Sequence, residues 1–290
     1  MIRFQSCRGR IFRLVPARWR GALIAAGIFL FLVAASWARP ASAQDKNLIS
    51  GIGLTELTVY DQRPAPDGLN SGSPHVHAVT DEGYYVMSGA GRVELHDVEH
   101  GFRTVELAPS RYLQFPPGVL HRLVNTDHLV ILVIMGNAGL AEQGDARIYF
   151  GGKVDARPAE YARLVALARA EGLEGALKRR DAAVRAYQGL ISLWTKDKDA
   201  YFAELRRFLD VHFKTAAALR KEFSTAVESG PLAWVERFRR RLGELPSGPG
   251  DLAPLLHLPS AGTTLGMCGL LRPVTNLEPV DRENGSGPKR

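Results

Sequence analysis

The sequence predicts an all-β barrel or sandwich first and an α-helical region after it. Between residues 48 and 150, short apolar stretches with alternating polar residues are separated by turns rich in Gly, Pro, Asn and Asp. Closely spaced strands have this pattern. From Arg157 onward, apolar residues recur every three or four positions, which is the period of an α-helix. An apolar run near the N-terminus indicates a separate leading segment.

Residues 1–43 have the features of a secretory signal peptide. They contain seven arginines and no acidic residue, and an apolar run covers residues 22–37. Residues 41–43, Ala-Ser-Ala, form a small-x-small cleavage site before Gln44. We therefore expect an extracytoplasmic protein, periplasmic or secreted. The alternative is an uncleaved membrane anchor, and only in that case is a membrane expected as a partner.

The net charge does not favour a nucleic-acid partner. The formal charge is +7, but without the leading segment 30 basic and 30 acidic residues remain. A chain with this balance has no overall attraction to polyanions. Cys7 lies in the leading segment and Cys268 is the other cysteine, so we expect no intrachain disulfide in the processed protein.

The β region is assigned to residues 48–152. Residues 88–91, Ser-Gly-Ala-Gly, are interpreted as a turn between two strands. The strands are predicted at residues 54–60, 84–87, 92–96, 102–107, 111–115, 123–124, 129–135 and 147–150.

Three histidines and one glutamate in this region suit a metal site. His75 and His77 are two residues apart, so on a strand both imidazoles point to the same face. Glu82 would face away on an unbroken strand, but the polar break before it allows the chain to turn. His121 follows a Pro-Pro-Gly turn. Three neutral nitrogens and one carboxylate suit a divalent first-row metal.

The same residues resemble the first motif of the cupin family. That motif is Gly, five residues, His-x-His, three or four residues, Glu, six residues, Gly. His75, His77, Glu82 and Gly89 match it, whereas Leu69 stands at the position of the leading glycine.

The second cupin motif is Gly, five residues, Pro-x-Gly, two residues, His, three residues, Asn. Pro116, Gly118, His121 and Asn125 match it, and Ser110 replaces the leading glycine. The resemblance covers about residues 50–150. It implies an all-β cupin barrel of the jelly-roll type that binds one divalent transition metal. The donor set does not distinguish Fe, Mn, Ni, Cu and Zn.

The wall of the barrel cavity is predicted from alternation along the strands. If Glu82 points inward, Tyr84 and Val86 do so too, and if His121 points inward, Leu123 and Asn125 follow. Gln114 is a further candidate for this mostly apolar wall. The remaining histidines lack ligand spacing and are interpreted as ordinary: His96, His100, His128, His212 and His257.

Residues 157–245 are predicted to form helices, and residues 246–290 a loosely ordered tail. The apolar stripe from Phe202 to Val227 predicts the third helix, and Gly230-Pro231 is expected to end that helix and start a fourth. Each helix carries one apolar stripe that must be buried. We expect the helices to pack beside the barrel, with a homodimer as a further possibility. The arginines at 239–241 are interpreted as a solvated helix face.

The fold alone does not determine the function. The first hypothesis is a metal-dependent oxygenase or oxidase that acts on a small, partly apolar molecule. The second is a non-catalytic protein that binds a ligand or acts as a scaffold, and the third is a metal-assisted isomerase or hydrolase. The sequence assigns no catalytic residue beyond the metal ligands.

Overall fold

The structure is a computed structural model that describes residues 48–136, 140–245, 254–257, 262–275 and 277–279. Antiparallel strands come first within these ranges and helices follow, so the predicted order of the two regions is confirmed. The predicted signal peptide, residues 1–43, lies outside the described residues.

The barrel consists of antiparallel strands. Ten of the described strands form one sheet, and β9 and β12 pair separately. The strands are β1 (Gly53–Val59), β2 (Asn70–Ser71), β3 (His75–His77), β4 (Glu82–Asp97), β5 (Gly101–Leu107), β6 (Tyr112–Phe115), β7 (Leu120–Met135), β8 (Ala146–Ile148), β9 (Leu255–His257), β10 (Thr264–Leu265), β11 (Gly269–Pro273) and β12 (Leu277–Pro279).

The turn predicted at residues 88–91 is wrong, because these residues lie within strand β4. The chain continues through these residues as one strand of 16 residues paired with β7, and the register shifts three times between Val86 and Gly91. Tyr84 and Val86 belong to the buried core before these bulges, and Val93 and Leu95 belong to it after them. The bulges therefore move the inward-facing side chains from even to odd positions. Turn-forming residues also favour bulges, so the sequence pattern alone did not separate the two.

Strand β7 joins two predicted strands into one of 16 residues. Its second half pairs with β1 and with the first half of β4, and its first half pairs with β2, β3 and the second half of β4. The interior is filled by Leu123, Ile131 and Val133 from this strand together with residues of β1, β4 and β6.

Part of the predicted tail belongs to the barrel sheet. Strand β11 pairs antiparallel with β1 from Thr55↔Pro273 to Val59↔Gly269, and β10 pairs with β11. The side chain of Cys268 is buried in the barrel core. Residues 264–273 are therefore not the loosely ordered tail that we expected. The sequence there has no sustained apolar alternation, so no strand was predicted. A short strand at the edge of an existing sheet does not need that alternation, because backbone pairing with its neighbour holds it.

The helical region has five α-helices within the described residues. They are α1 (Gly152–Asp155), α2 (Pro158–Lys196), α3 (Lys198–Ala217), α4 (Arg220–Val227) and α5 (Ala233–Glu244). Gly172 interrupts α2 with φ 61° and ψ −139°. The Asp197 side chain accepts a hydrogen bond from the Ala200 amide and caps the start of α3.

The third predicted helix is divided, and the predicted break at Gly230-Pro231 is absent. The apolar stripe suggested one helix up to residue 227, but α3 ends at Ala217 and α4 begins at Arg220. A π-helical turn, Glu228–Leu232, contains the proline and joins α4 to α5.

Helices α2 and α3 cover the outer face of the barrel. Val76, Leu120 and Tyr149 from the sheet pack with side chains of these helices, among them Leu190 and Phe208. His75 and His77 flank Val76 on β3, so one strand presents its histidines to the interior and its valine to the helices. No helix among the described residues has both the length and the apolar character that crossing a membrane requires.

Candidate metal centre

The strands bring the four predicted ligands together inside the barrel. Suitable donor atoms of His75, His77, Glu82 and His121 lie within 4.8 Å of one another. The Nε2 atoms of His75 and His121 are 3.1 Å apart. Glu82 Oε2 lies 3.3 Å from His77 Nε2 and 3.1 Å from His121 Nε2. All four residues are at most 5% exposed.

The strand register explains this convergence. His75 on β3 lies directly opposite His121 on β7, and His77 is two positions farther along β3 on the same face. Glu82 is the first residue of β4, where it pairs with Phe115 and Met135. The polar segment between His77 and Glu82 gives the change of direction that the sequence suggested.

The other ring nitrogen of each histidine faces a hydrogen-bond acceptor. The Nδ1 atoms of His75 and His121 each lie 3.0 Å from a backbone carbonyl oxygen, that of Ser73 and that of Val119. His77 Nδ1 lies 2.9 Å from Asp145 Oδ2. These acceptors hold a proton on each Nδ1, so in the neutral rings the Nε2 lone pairs are directed toward each other. Lone pairs at this spacing repel unless a cation lies between them, and the cluster could therefore hold a metal ion.

Charge in the cluster is distributed unequally when no metal is bound. Burial by itself would lower the pKa of His77, but Glu82 and Asp145 outweigh it and raise the pKa to about 10. Burial lowers the pKa of His75 well below its ordinary value, and the neighbouring histidines lower it further. Burial opposes ionisation of Glu82, but His121 and His77 hold its pKa well below the usual range. A proton on His77 thus occupies the position that a cation would take.

Asp145 and His212 form an outer layer that the sequence did not reveal. Asp145 accepts hydrogen bonds from His77 Nδ1 through Oδ2 and from the amides of Ala78 and Val79 through Oδ1. His212 of α3 donates from Nε2 to the Asp145 carbonyl oxygen at 2.7 Å. His77 and Asp145 are separated by 68 residues, so no motif spacing could have indicated this contact. His212 was interpreted as an ordinary histidine, although it supports the residue that orients His77.

The interior beside the cluster is mostly apolar. Tyr84, Val86 and Leu123 lie in the barrel core, and the Phe115 ring centroid is 4.6 Å from that of His121. Burial, followed by the charge of Glu82, raises the pKa of the Tyr84 phenol well above its ordinary value.

Two predicted wall residues have other roles. Gln114 is exposed on β6 and accepts a hydrogen bond from Tyr112, because alternation in β6 places Leu113 and Phe115 inward. Asn125 is buried, but its amide donates to the Val59 carbonyl and accepts from the Leu129 amide. The Asn125 side chain therefore uses both of its polar atoms to tie strands together.

His96 is part of a buried network between the sheet and the helices. Tyr201 donates to His96 Nδ1, His96 Nε2 donates to Tyr187, and the Tyr187 hydroxyl donates to Glu94. Arg122 completes the network beside Glu94 at 3.4 Å. His96 thus lies on the face of β4 opposite the cluster of candidate metal ligands. His100 and His128 are exposed, and His257 is partly buried on β9.

An antiparallel barrel with three inward histidines and one inward glutamate defines a barrel protein with a site that could hold a metal ion. The comparisons agree with this class: residues 63–135 match the family model described as a cupin domain, and this stretch is a cupin domain. No curated protein matches the sequence.

Solved structures of cupin type are similar over about a third of this chain. The TDP-fucose-3,4-ketoisomerase WlaRA from Campylobacter jejuni is 10% identical over 32% of this chain and 64% of its own, with a TM-score of 0.27. The capsular polysaccharide assembling protein CapF from Staphylococcus aureus is 17% identical over 36% of this chain and 28% of its own, with a TM-score of 0.28. A cupin protein from Bacteroides fragilis is 19% identical over 30% and 65%, with a TM-score of 0.22. This chain thus spans less than two thirds of each.

Proposed function

We propose that the protein is an exported metal-dependent oxygenase or oxidase that acts on a small, partly apolar molecule. The observation that carries the proposal is the cluster of three imidazoles and one carboxylate that faces an apolar barrel interior. A divalent metal held there would supply Lewis-acid or redox chemistry at the coordination positions that the four ligands leave free.

The residues of the interior favour oxidation over acid–base chemistry. Within the apolar cluster that fills the barrel beside the four candidate ligands, Tyr84 and Cys268 carry the ionisable groups. Burial raises the pKa of both groups, so both stay protonated at neutral pH and neither acts as a base. Isomerisation or hydrolysis usually requires such a base. The apolar wall would instead bind the carbon skeleton of the substrate and exclude water.

Oxygen uptake by the metal-loaded protein tests this activity. The protein would be loaded separately with each candidate metal and assayed with a panel of small phenols and diketones. We expect substrate-dependent uptake with at least one metal, loss of uptake in His121→Ala, and full uptake in His128→Ala. Uptake that is absent for every metal and substrate, or unchanged in His121→Ala, contradicts the proposal.

A non-catalytic role is the second candidate, and the closure of the site favours it. Each candidate ligand residue is at most 5% exposed, and closed metal sites are more often structural than catalytic. In that case the metal would stabilise the barrel or hold a ligand. Saturating metal would then raise the thermal midpoint without producing turnover on any substrate of the panel.

Metal content tests the ligand assignment, on which both candidates depend. We expect about one divalent ion per chain after mild purification, and much lower occupancy in His75→Ala and His121→Ala, because each loses one of three nitrogen ligands. Glu82→Gln keeps the shape but removes the negative charge, so it should weaken binding and leave the fold intact. Elemental analysis after dialysis against chelator measures the content, and His128→Ala is the matched control. Equal metal in the wild type and the two alanine variants would place the site elsewhere.

Export is proposed from the basic, acid-free start and the Ala-Ser-Ala sequence at residues 41–43. N-terminal sequencing of the exported protein should begin at Gln44. A full-length product embedded in the membrane would instead support the anchor.

A further inference from the structure

Helix α5 presents an apolar stripe that nothing in the described structure covers. None of its residues is buried. Val235, Phe238 and Leu242 are exposed at spacings of three and four residues, which places them on one face of the helix, and Leu245 continues this face. Phe238 is 60% exposed. Single exposed apolar residues are ordinary, but four on one helical face form a patch that is typical of an interaction site.

The stripe is bordered by arginines. Helix α5 contains four of them and two glutamates, so it is a cationic helix although residues 44–290 as a whole carry equal numbers of basic and acidic residues. Arg237 and Arg241 lie over the Trp234 ring, 4.2 Å and 5.9 Å from its centroid, and Arg239 pairs with Glu236 at 2.8 Å. Arginines next to an apolar stripe can keep their charge at the level of lipid headgroups while the stripe enters the acyl region.

We propose that α5 is a docking surface for an anionic phospholipid membrane. The combination of an exposed apolar stripe, a cationic border and low overall hydrophobicity characterises helices that lie in the membrane interface. Negative headgroups complement the excess of arginine, and acyl chains cover Val235, Phe238, Leu242 and Leu245. The protein would bind the bilayer through this helix reversibly and peripherally.

A second copy of the chain fits the surface less well. Two α5 helices packed along their stripes would bring two sets of four arginines together, which electrostatic repulsion opposes. The stripe has four side chains, whereas a stable interface usually buries about 20–30 residues on each side.

Vesicle sedimentation tests the proposal. The described residues, which begin at 48, all belong to one compact unit, so the chain is used from Gln44, the predicted processed form, without the apolar run at 22–37. The probes are vesicles of pure phosphatidylcholine and vesicles that also contain phosphatidylglycerol. We expect binding to the vesicles with phosphatidylglycerol, little binding to pure phosphatidylcholine, and a steep decrease with added salt.

Variants of the stripe and its border separate the two contributions. Phe238→Ser should lower the partition coefficient about tenfold, because one buried aromatic side chain is lost. Arg239→Gln, at the edge of the stripe, should lower it roughly fivefold at low salt. Phe213→Ser is the matched control, since Phe213 is also an exposed phenylalanine on a helix, 42% exposed, and this variant should bind like the wild type.

Three outcomes would overturn the proposal. One is the absence of binding to vesicles with phosphatidylglycerol, and another is equal loss in Phe238→Ser and Phe213→Ser. The third is a concentration-dependent dimer, seen by sedimentation velocity and abolished by Phe238→Ser, which would assign the stripe to a second copy. Circular dichroism and thermal unfolding should be unchanged in each variant, because the substituted side chains are exposed.

Discussion

Asp145 connects the histidine cluster with the backbone that follows it. One carboxylate oxygen accepts from His77 Nδ1 and the other from the amides of Ala78 and Val79. Burial by itself would raise the pKa of Asp145, but the hydrogen bond and the charge of His77 lower it. The carboxylate thereby holds His77 with its proton on Nδ1 and its Nε2 toward the cluster, which is the orientation that metal binding requires.

Asp145→Asn tests this role. The amide can still accept from the two backbone amides through Oδ1, but its NH2 group then faces His77 Nδ1. Two donors cannot pair, so the ring should move its proton to Nε2, the atom needed for the metal. We expect metal affinity to fall about 10–100-fold, measured by competition with a chelator. Asp61→Asn, at a partly exposed position that pairs with His128, is the control. Unchanged affinity would show that Asp145 has only a structural role.

His96 makes stability depend on pH at the contact between sheet and helices. Burial lowers the pKa of His96 to about 3, below the value of 6.5 in an unfolded chain. The unfolded chain therefore binds a proton below pH 6.5 that the folded protein does not bind until about pH 3. The free energy of unfolding therefore decreases as the pH is lowered from 6.5 to about 3.

The slope of this pH dependence provides the test. His96→Gln should be less stable near pH 7, because hydrogen bonds to Tyr187 and Tyr201 are weakened. Its loss of stability between pH 6 and 4.5 should be smaller by about 1.4 kcal/mol per pH unit, which corresponds to one proton. Urea unfolding at several pH values gives the slope, with the exposed His128→Gln as control. An identical slope in wild type and His96→Gln would contradict the assignment.

At the scale of elements, the bulges of β4 determine which residues face the interior. Gly89 has φ 76°, and a Cβ there would overlap the carbonyl oxygens of Asp127 and His128 on β7. A residue with a side chain therefore meets both backbone strain and a clash with backbone. The glycine that matches the cupin motif is required for the geometry of a bulge.

Gly89→Ala should be strongly destabilising. The strained backbone alone costs about 1–3 kcal/mol, and the overlap with β7 adds to it. Gly189→Ala is the matched control, because Gly189 lies in helix α2 with nothing within 4 Å of an added Cβ. That variant should gain about 0.5–1 kcal/mol. Free energies of unfolding from urea titration compare the two, and a Gly89→Ala protein as stable as the wild type would exclude the strained bulge.

At the scale of the whole molecule, the helices complete the outer face of the barrel. Leu120 and Tyr149 of the sheet region are buried beneath α2 and α3, and so are the charged side chains of Glu94 and Arg122. Through His212 the helices also support Asp145 beside the candidate metal ligands. A barrel without helices would expose apolar surface and lose this support.

A chain that ends at about residue 152 tests this dependence. We expect it to lose solubility or to self-associate, measured by size-exclusion chromatography and by binding of an apolar dye, since the surface around Val76 and Leu120 becomes exposed. The full-length chain is the reference. A truncated barrel that is monomeric, soluble and equally stable would show that the helices are an independent domain.

The sequence by itself determined the order of the two regions and the residues of the candidate metal centre. Strand alternation and helical periodicity are local properties, and the two cupin motifs keep each ligand at a fixed distance from its turn. His75, His77, Glu82 and His121 could therefore be identified before any contact was known, and the structure brings their donor atoms together.

Only the tertiary structure decided what depends on pairing between distant residues. The bulges of β4 arise where it meets β7, and they reverse the alternation that would otherwise predict the interior. Strand β11 is fixed by its backbone pairing with β1, about 215 residues earlier, and not by its own periodicity. Asp145 contacts His77 across 68 residues, and His212 contacts Asp145 across 67. Local sequence patterns do not predict such contacts, because they form only when the barrel has folded and the helices have packed against it.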